Sequence, residues 1–409
     1  MNSDRNWKRN TALFLSGQTI SLFGSSLVQY AIMWYITLNT QSGIMMTLYI
    51  LCGFLPTFIL SPFAGVWADR YNRKKLIIWS DSIIAFSTLV LALLFLAGYH
   101  STWLLFVVAG IRALGTGVQT PTVGALLPQL VPGDKLTKVN GILGSLQSAV
   151  MLLSPMLSGA LMTAAPIEII FFIDVVTAAI GVLILLFFVQ VQSHEKAEKG
   201  QAISYFEDMR IGFSYIRDHT YVRTFFIFIA IFMVFVSPAA FLTPLQVTRS
   251  FGNDVWRLTA IEIVFSIGMM AGGLLMASWG GLKNKVHTMV LSNLVISICT
   301  IALGIVPVFW LYLVIMGIFG IAMPMFNTPS NVLLQQKVEE NYLGRVYGVY
   351  GMLSSSMMPL GMLVFGPIAD IIAIEWLLMG TGVFLLIESL LMLRSKTLIE
   401  AGSPDRMTE

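Results

Sequence analysis

Residues 169–187 read IIFFIDVVTAAIGVLILLF, nineteen positions with a single charge, Asp174. A run of that length and apolarity matches one helical crossing of a bilayer, which takes about twenty residues. The rest of the chain repeats the reading. Of 409 residues, 56% are hydrophobic and only 11% are charged, where a soluble domain carries about 25% charged residues. The 34 glycines suit close helix packing in lipid. A transmembrane barrel would instead show segments of roughly ten residues with alternating polarity. The chain is therefore expected to be an all-α integral membrane protein. A carboxylate inside such a run is costly, so the surroundings of Asp174 become the functional question.

Apolar runs near twenty residues long number twelve, at roughly 12–38, 43–67, 76–97, 103–127, 138–163, 167–189, 221–247, 257–279, 286–306, 309–333, 345–372 and 375–393. The one long polar connection divides the chain into an N-terminal six-span lobe (1–189), a linker (190–220) and a C-terminal six-span lobe with its tail (221–409). Within the linker, Ile203, Phe206, Arg210, Phe213 and Ile216 fall near one helical face. They predict a short amphipathic helix along the cytoplasmic surface. With the N-terminus in the cytoplasm, the 24 Lys and Arg residues all fall on that side except Arg249 and Arg257, outside, and Arg112, within a span. The positive-inside rule then places both termini in the cytoplasm, and the chain is expected in the plasma (inner) membrane. The first apolar run is too long for a cleaved signal and reads as a retained span.

The two halves share features: Gly110 recurs as Gly317, Thr120–Pro121 as Thr328–Pro329, and Gly141 with Gly144 as Gly348 with Gly351, at offsets of 207, 208 and 207. Two-lobed transporters of the major facilitator type are built from such a parallel six-span repeat, with substrate bound between lobes near mid-membrane. A channel more often forms its pore by oligomeric symmetry; this chain is expected to act as a monomer.

Gly65 to Leu76 reads GVWADRYNRKKL. It resembles the major facilitator signature between spans 2 and 3, G-x-L-A-D-R-x-G-R-K-x-x-L, matching at Gly65, Ala68, Asp69, Arg70, Arg73, Lys74 and Leu76. Trp67 and Asn72 depart, although Asn72 could adopt the left-handed turn that glycine would supply. Asp69 could accept from the exposed amides of a neighbouring helix start, which carries partial positive charge. The resemblance implies that this helix is the eleventh span and that Gly65, Asp69, Arg70 and Arg73 belong to a conformational gate. The corresponding stretch WGGLKNKV, from Trp279, lacks the acid.

GIRALGTG in the fourth span carries Arg112, about ten residues or roughly 15 Å from the outer end, and is similar to the superfamily's second motif. A buried guanidinium demands a partner or a water-filled cavity. In the fifth span, GILGSLQSAVMLLSPMLSG looks like a weakened antiporter motif: Gly141, Pro155 and Gly159 fit, while Val150, Ser154 and Ser158 replace glycines. Small residues there would let the helix pack closely against the other lobe. Finally NWKR near Trp7, PQLVPGDKLTKVNG from Pro128, TAIEIVFSIGMMAGGLL from Thr259 and NYLGRVYG from Asn341 resemble macrolide-efflux transporters of the major facilitator superfamily, and the likeness spans nearly the whole chain. The resemblance implies two pseudo-symmetric six-helix lobes, export of amphiphilic small molecules and energy from the proton gradient. Siderophore exporters of a related branch share much of the pattern.

The intramembrane charges are the candidate couplers. Asp174 lies about seven residues into the sixth span, roughly 10 Å from the outer surface, at a depth comparable to Arg112. Glu262 lies nearer the outside in the eighth span and Glu388 near the middle of the twelfth. Asp81, in the third span, sits close to the cytoplasm, where Lys or Arg could pair with it. A carboxylate that exchanges partners as the lobes rock could couple protons to transport, which makes Arg112, Asp174 and Glu262 the proton-coupling candidates. An Asp174 held by Arg would instead only pin helices together, and Glu388 reads as structural. Spans 1 and 10 offer Gln18, Met33, Trp34, Met323 and Met325 as substrate-cavity residues, since flexible thioethers and aromatics suit bulky apolar ligands.

An importer of the same fold is the competing direction, and a membrane-embedded enzyme or receptor the competing class. None of His100, His194, His219 and His287 lies centrally in a span, and no acid–His cluster has metal-ligand character. No G-x-x-x-x-G-K-[ST] motif exists for nucleotide phosphates. No cofactor, metal or nucleic-acid partner is expected; the partners are an amphiphilic small molecule, protons and the bilayer. Cys52 and Cys299 lie inside apolar runs and read as free thiols.

Overall fold

In a computed structural model, residues 2–191 and 205–403 are described, side chains excepted at 2–6, 61–62, 65–66, 69, 205–208 and 340. The elements are α1 (Asn2–Thr40), α2 (Gly43–Arg70), α3 (Arg73–Leu96), α4 (Thr102–Leu130), α5 (Leu136–Ala164), α6 (Ile167–Phe188), α7 (Tyr205–Asp218), α8 (Thr220–Phe241), α9 (Thr243–Phe251), α10 (Val255–Trp279), α11 (Lys285–Leu303), α12 (Phe309–Lys337), α13 (Glu340–Ile368), α14 (Ile374–Arg394) and α15 (Lys396–Gly402). Among the described residues there are twelve helical segments long and apolar enough to cross a membrane. Helices are what such runs must form, because lipid offers no partner for a free backbone N–H or C=O. The seventh span is broken: α8 ends at Phe241, Leu242 turns, and Pro244 opens α9 where its missing N–H costs nothing.

Capping explains several boundaries. Asn72 has extended backbone (φ −66°, ψ 111°) and its side chain accepts from Lys75 N–H, so it is the N-cap of α3 and not a left-handed turn. Asn284 performs the same task for α11, accepting from Val286 N–H at 2.9 Å, and its amide donates to Ile399 O at 2.7 Å, which ties α15 down. Gly280, at φ 71°, ends α10 in the left-handed region that favours glycine.

The chain divides into two compact units, 1–39 with 48–202, and 40–47 with 203–409. In the first, α3 packs on α4 and α6, and α1 lies close to α6: a Cβ on Gly181 would sit 2.8 Å from Gly17 O, and one on Gly24 would collide with Thr177 Oγ1. Phe14, Ile77, Leu126, Leu130 and Leu185 form a core at one end of the unit. In the second, α10 packs on α12, and α11 on α12 and α14. Glycines make the α10–α12 approach possible, because a Cβ on Gly268, Gly272 or Gly320 would strike backbone oxygens of the facing helix. Phe232 stacks on Phe326 with ring centroids 4.0 Å apart.

The linker helix forms over Tyr205–Asp218 and docks within the second unit. Gly212 lets α7 approach Arg345 O of α13, and Tyr215 is buried, stacked on Tyr342 at 4.7 Å and on His219 at 3.9 Å. Ile216 is buried with it while Phe213 stays half-exposed. The helix expected along a membrane surface is therefore packed on protein through its Gly212–Tyr215–Ile216 side. Ile203 and the Phe206 side chain lie outside the described residues.

Candidate functional site

Each unit holds buried charge, and the packing of its helices decides what that charge meets. In the first unit Asp174 is fully buried, and its Oδ2 pairs with Arg112 Nη1 at 2.5 Å. Thr88 Oγ1 donates to the same Oδ2 at 3.0 Å, and Ser25 Oγ donates to Oδ1 at 3.1 Å. Arg112 Nη1 also donates to Thr88 Oγ1, and its Nη2 donates to Ser25 O at 3.2 Å. Asp174 on α6 and Arg112 on α4 are thus joined to α1 and α3 by a compensated, hydrogen-bonded cluster. The charges the sequence placed at similar depth do meet, and the carboxylate is already occupied.

Two helical turns along the same α3–α4 seam lies a second polar layer. Asp81 is seven residues from Thr88 on α3, and Gln119 is seven from Arg112 on α4, spacings that keep each pair on one face about 10 Å apart. Gln119 Nε2 donates to Asp81 Oδ1 at 2.5 Å, and the Gln18 amide approaches the carboxylate from α1. Asp81 Oδ2 has no partner, and no Lys or Arg pairs with this acid among the described residues. That overturns the expectation of a cationic partner: the third-span face turns Asp81 into the seam between helices. It also puts Gln18, read as a cavity residue, in a buried position beside Asp81. The seven-residue spacing on two neighbouring helices was the signal available in the sequence.

In the second unit, Glu262 lines a cavity of about 90 Å³ with Phe265, Met316, Phe319 and Met323. No hydrogen bond or ion pair reaches Glu262 among the described residues. A space of that size admits water, so this acid faces room that water can fill, whereas Asp174 faces the Arg112 guanidinium. Met323, read as a substrate-cavity residue, is among the residues lining this small cavity. Met325 and Trp34, read in the same way, are both buried, Trp34 fully so. Met33 is partly buried on α1. Glu388 is buried on α14, where Asn293 Nδ2 donates to its Oε2 at 3.3 Å while Oε1 has no partner.

The side chains of Gly65 and Asp69 lie outside the described residues. Arg70 is exposed. Arg73 donates to Ala68 O at 2.9 Å and to Ala125 O at 2.8 Å, and Lys74 donates to Leu186 O and Val189 O at 2.9 and 2.8 Å. These cations close carbonyl ends of helices inside the first unit. On α5, Gly141 has open space where a Cβ would stand, while Ser154, Pro155, Ser158 and Gly159 are buried and Ser158 Oγ donates to Leu27 O of α1 at 3.1 Å. Ser158 thus joins α5 to α1 within the first unit.

A further site was missed in the sequence. Asp370, just past α13, accepts from Gly43 N–H at 2.7 Å, Ile44 N–H at 3.0 Å and Ser42 Oγ at 2.7 Å, and pairs with Arg249 at 2.8 Å. It caps the start of α2 from more than three hundred residues away, within the second unit, to which 40–47 belong.

Twelve membrane-spanning helices, in two units that each enclose buried charge, define a polytopic membrane protein of the transporter class. The chain matches the Major Facilitator Superfamily over residues 14–362 and belongs to it. It is 30% identical to Macrolide efflux protein A of Streptococcus pyogenes, with 93% of this chain and 95% of that protein covered. It is 22% identical to the Staphyloferrin A transporter of Staphylococcus aureus (strain NCTC 8325 / PS 47), with 89% of this chain and 90% of that protein covered. Among solved structures, the nucleoside transporter NupG matches with a TM-score of 0.73 at 15% identity, covering 95% of this chain and 100% of that one, a likeness of fold alone.

Proposed function

We infer that the protein exports amphiphilic small molecules of the macrolide type by alternating access, in antiport with protons. The observation that carries the coupling is the free carboxylate of Glu262 in a cavity walled by Phe265, Phe319, Met316 and Met323. An unpaired acid there can hold either a proton or the polar end of an apolar ligand, and that exclusion is what antiport requires. The thioethers and aromatic rings adapt to bulky, varied shapes. The substrate class rests on the 30% likeness to Macrolide efflux protein A along nearly both chains. A siderophore-like metabolite is the second reading, supported by the likeness to the Staphyloferrin A transporter. In this reading the chain sits in the plasma membrane as a monomer with both termini in the cytoplasm, and Gly65, Asp69, Arg70 and Arg73 contribute to its inner gate.

The test is radiolabelled erythromycin movement in proteoliposomes under an imposed pH gradient. Accumulation that a protonophore abolishes is the expected result. Erythromycin movement indifferent to the gradient would remove the antiport reading, and no erythromycin movement, with siderophore transport instead, would favour the second.

A further inference from the structure

Among the described residues of the first unit, the carboxylate buried deepest is not one that lacks a cation. Asp174 already has a guanidinium and two hydroxyl donors. Asp81 is 2% exposed, has no cation, and leaves Oδ2 without a hydrogen bond. The groups facing it are Gln119 from α4 and Gln18 from α1, both uncharged, with Asp174 on α6 contributing a second negative charge. Arg112, on the Gln119 helix, is spent on Asp174. With Asp81 ionised the seam carries a net negative charge inside a membrane; with Asp81 protonated it is neutral.

We propose that Asp81 is a proton-binding residue of the transport cycle, held between two glutamine amides in a pocket fitted to the neutral acid. Gln119 donates to Oδ1. The proton sits on Oδ2, the oxygen left without a hydrogen bond, and the Gln18 amide can turn its oxygen inward to accept it. Two neutral amides satisfy a carboxylic acid completely but supply too little positive charge to hold a carboxylate. Release of the proton therefore requires the seam to open to water. In that way occupancy of Asp81 is tied to the packing of α1, α3 and α4. This rests on the proton-antiport reading, and its test separates the two.

The purified protein is examined by infrared difference spectroscopy across neutral pH, in water and in deuterium oxide, without substrate. Asp81→Asn should delete one deuterium-sensitive carboxylic-acid C=O component that persists in Asp174→Asn and in Glu388→Gln. In proteoliposomes, Asp81→Asn should exchange erythromycin at near the parental rate but lose pH-driven accumulation at least tenfold, and Asp81→Glu should recover part of it. An unchanged acid band in Asp81→Asn would overturn the proposal, as would full pH-driven accumulation by that variant. If the parent shows no pH-driven accumulation while the Asp81 band is present, the antiport reading falls and proton binding at Asp81 stands.

Discussion

The Arg112–Asp174 pair shows what a buried charge costs when its partner is taken away. Asp174 is fully buried and Arg112 nearly so, and the same pair organises Ser25 and Thr88. Asp174→Asn leaves a guanidinium without its counter-charge, which should cost about 3–5 kcal/mol. Replacing both charges, Arg112→Leu with Asp174→Leu, should recover most of that loss, because apolar groups fill the site without desolvating an ion. Thermal unfolding of the detergent-purified variants measures both. A double variant no more stable than the Asp174→Asn single would mean that the hydroxyl network, rather than charge compensation, holds the four helices.

At the level of elements, the start of α2 and the α10–α12 seam make opposite use of the backbone. Burial alone would push the Asp370 carboxyl up, but hydrogen bonds from Ile44 N–H, Ser42, Gly43 N–H and Arg249 outweigh it and hold the group below its ordinary value. A depressed folded value means stabilisation that is fully present above the unfolded value of about 3.9 and is lost as pH falls through the lower folded value. Asp370→Ala should therefore cost about 1–2 kcal/mol at neutral pH, in the range of a lost N-cap. The gap between parent and variant should close as the solution is made strongly acidic; a gap that persists there would deny the carboxylate its role. On α10, Gly272→Ala should lose about 1–3 kcal/mol by overpacking, since its Cβ would strike Ile321 O. Gly273→Ala, one residue on and facing open space, should be neutral or slightly stabilising because alanine is the better helix former. Similar melting of the two variants would show that α10 and α12 can separate without cost.

Across the whole molecule the two units spend their buried acids differently. The first holds a compensated pair and the amide-flanked Asp81, whereas the second holds Glu262 in a cavity and Glu388 against Asn293 in the α11–α14 packing. Glu262→Gln should fold normally and still exchange substrate, yet fail to accumulate it under a pH gradient, because the titratable group is gone with little change of volume. Glu388→Gln, which keeps a hydrogen-bonding partner for Asn293, should couple normally per folded protein. Transport in liposomes normalised to folded protein checks both, and the reverse pattern would move the coupling acid to α14.

The sequence by itself determined the twelve crossings and their helical nature. Those follow from segment length, apolarity and the need to satisfy every backbone group in lipid, all of which are local. It also brought Arg112 and Asp174 to comparable depth, because depth is counted along a helix. What tertiary structure alone decided was direction around each helix axis. That is why Asp81 meets Gln119 instead of a cation, Met323 lines a cavity while Met325 and Trp34 fill cores, and Ser158 of α5 meets α1. In water, apolar periodicity reveals which face is buried. In a bilayer the lipid-facing side is as apolar as the packed side, as exposed Phe86, Phe187 and Trp79 illustrate, so the periodicity fades and only the packed helices say which way a residue points.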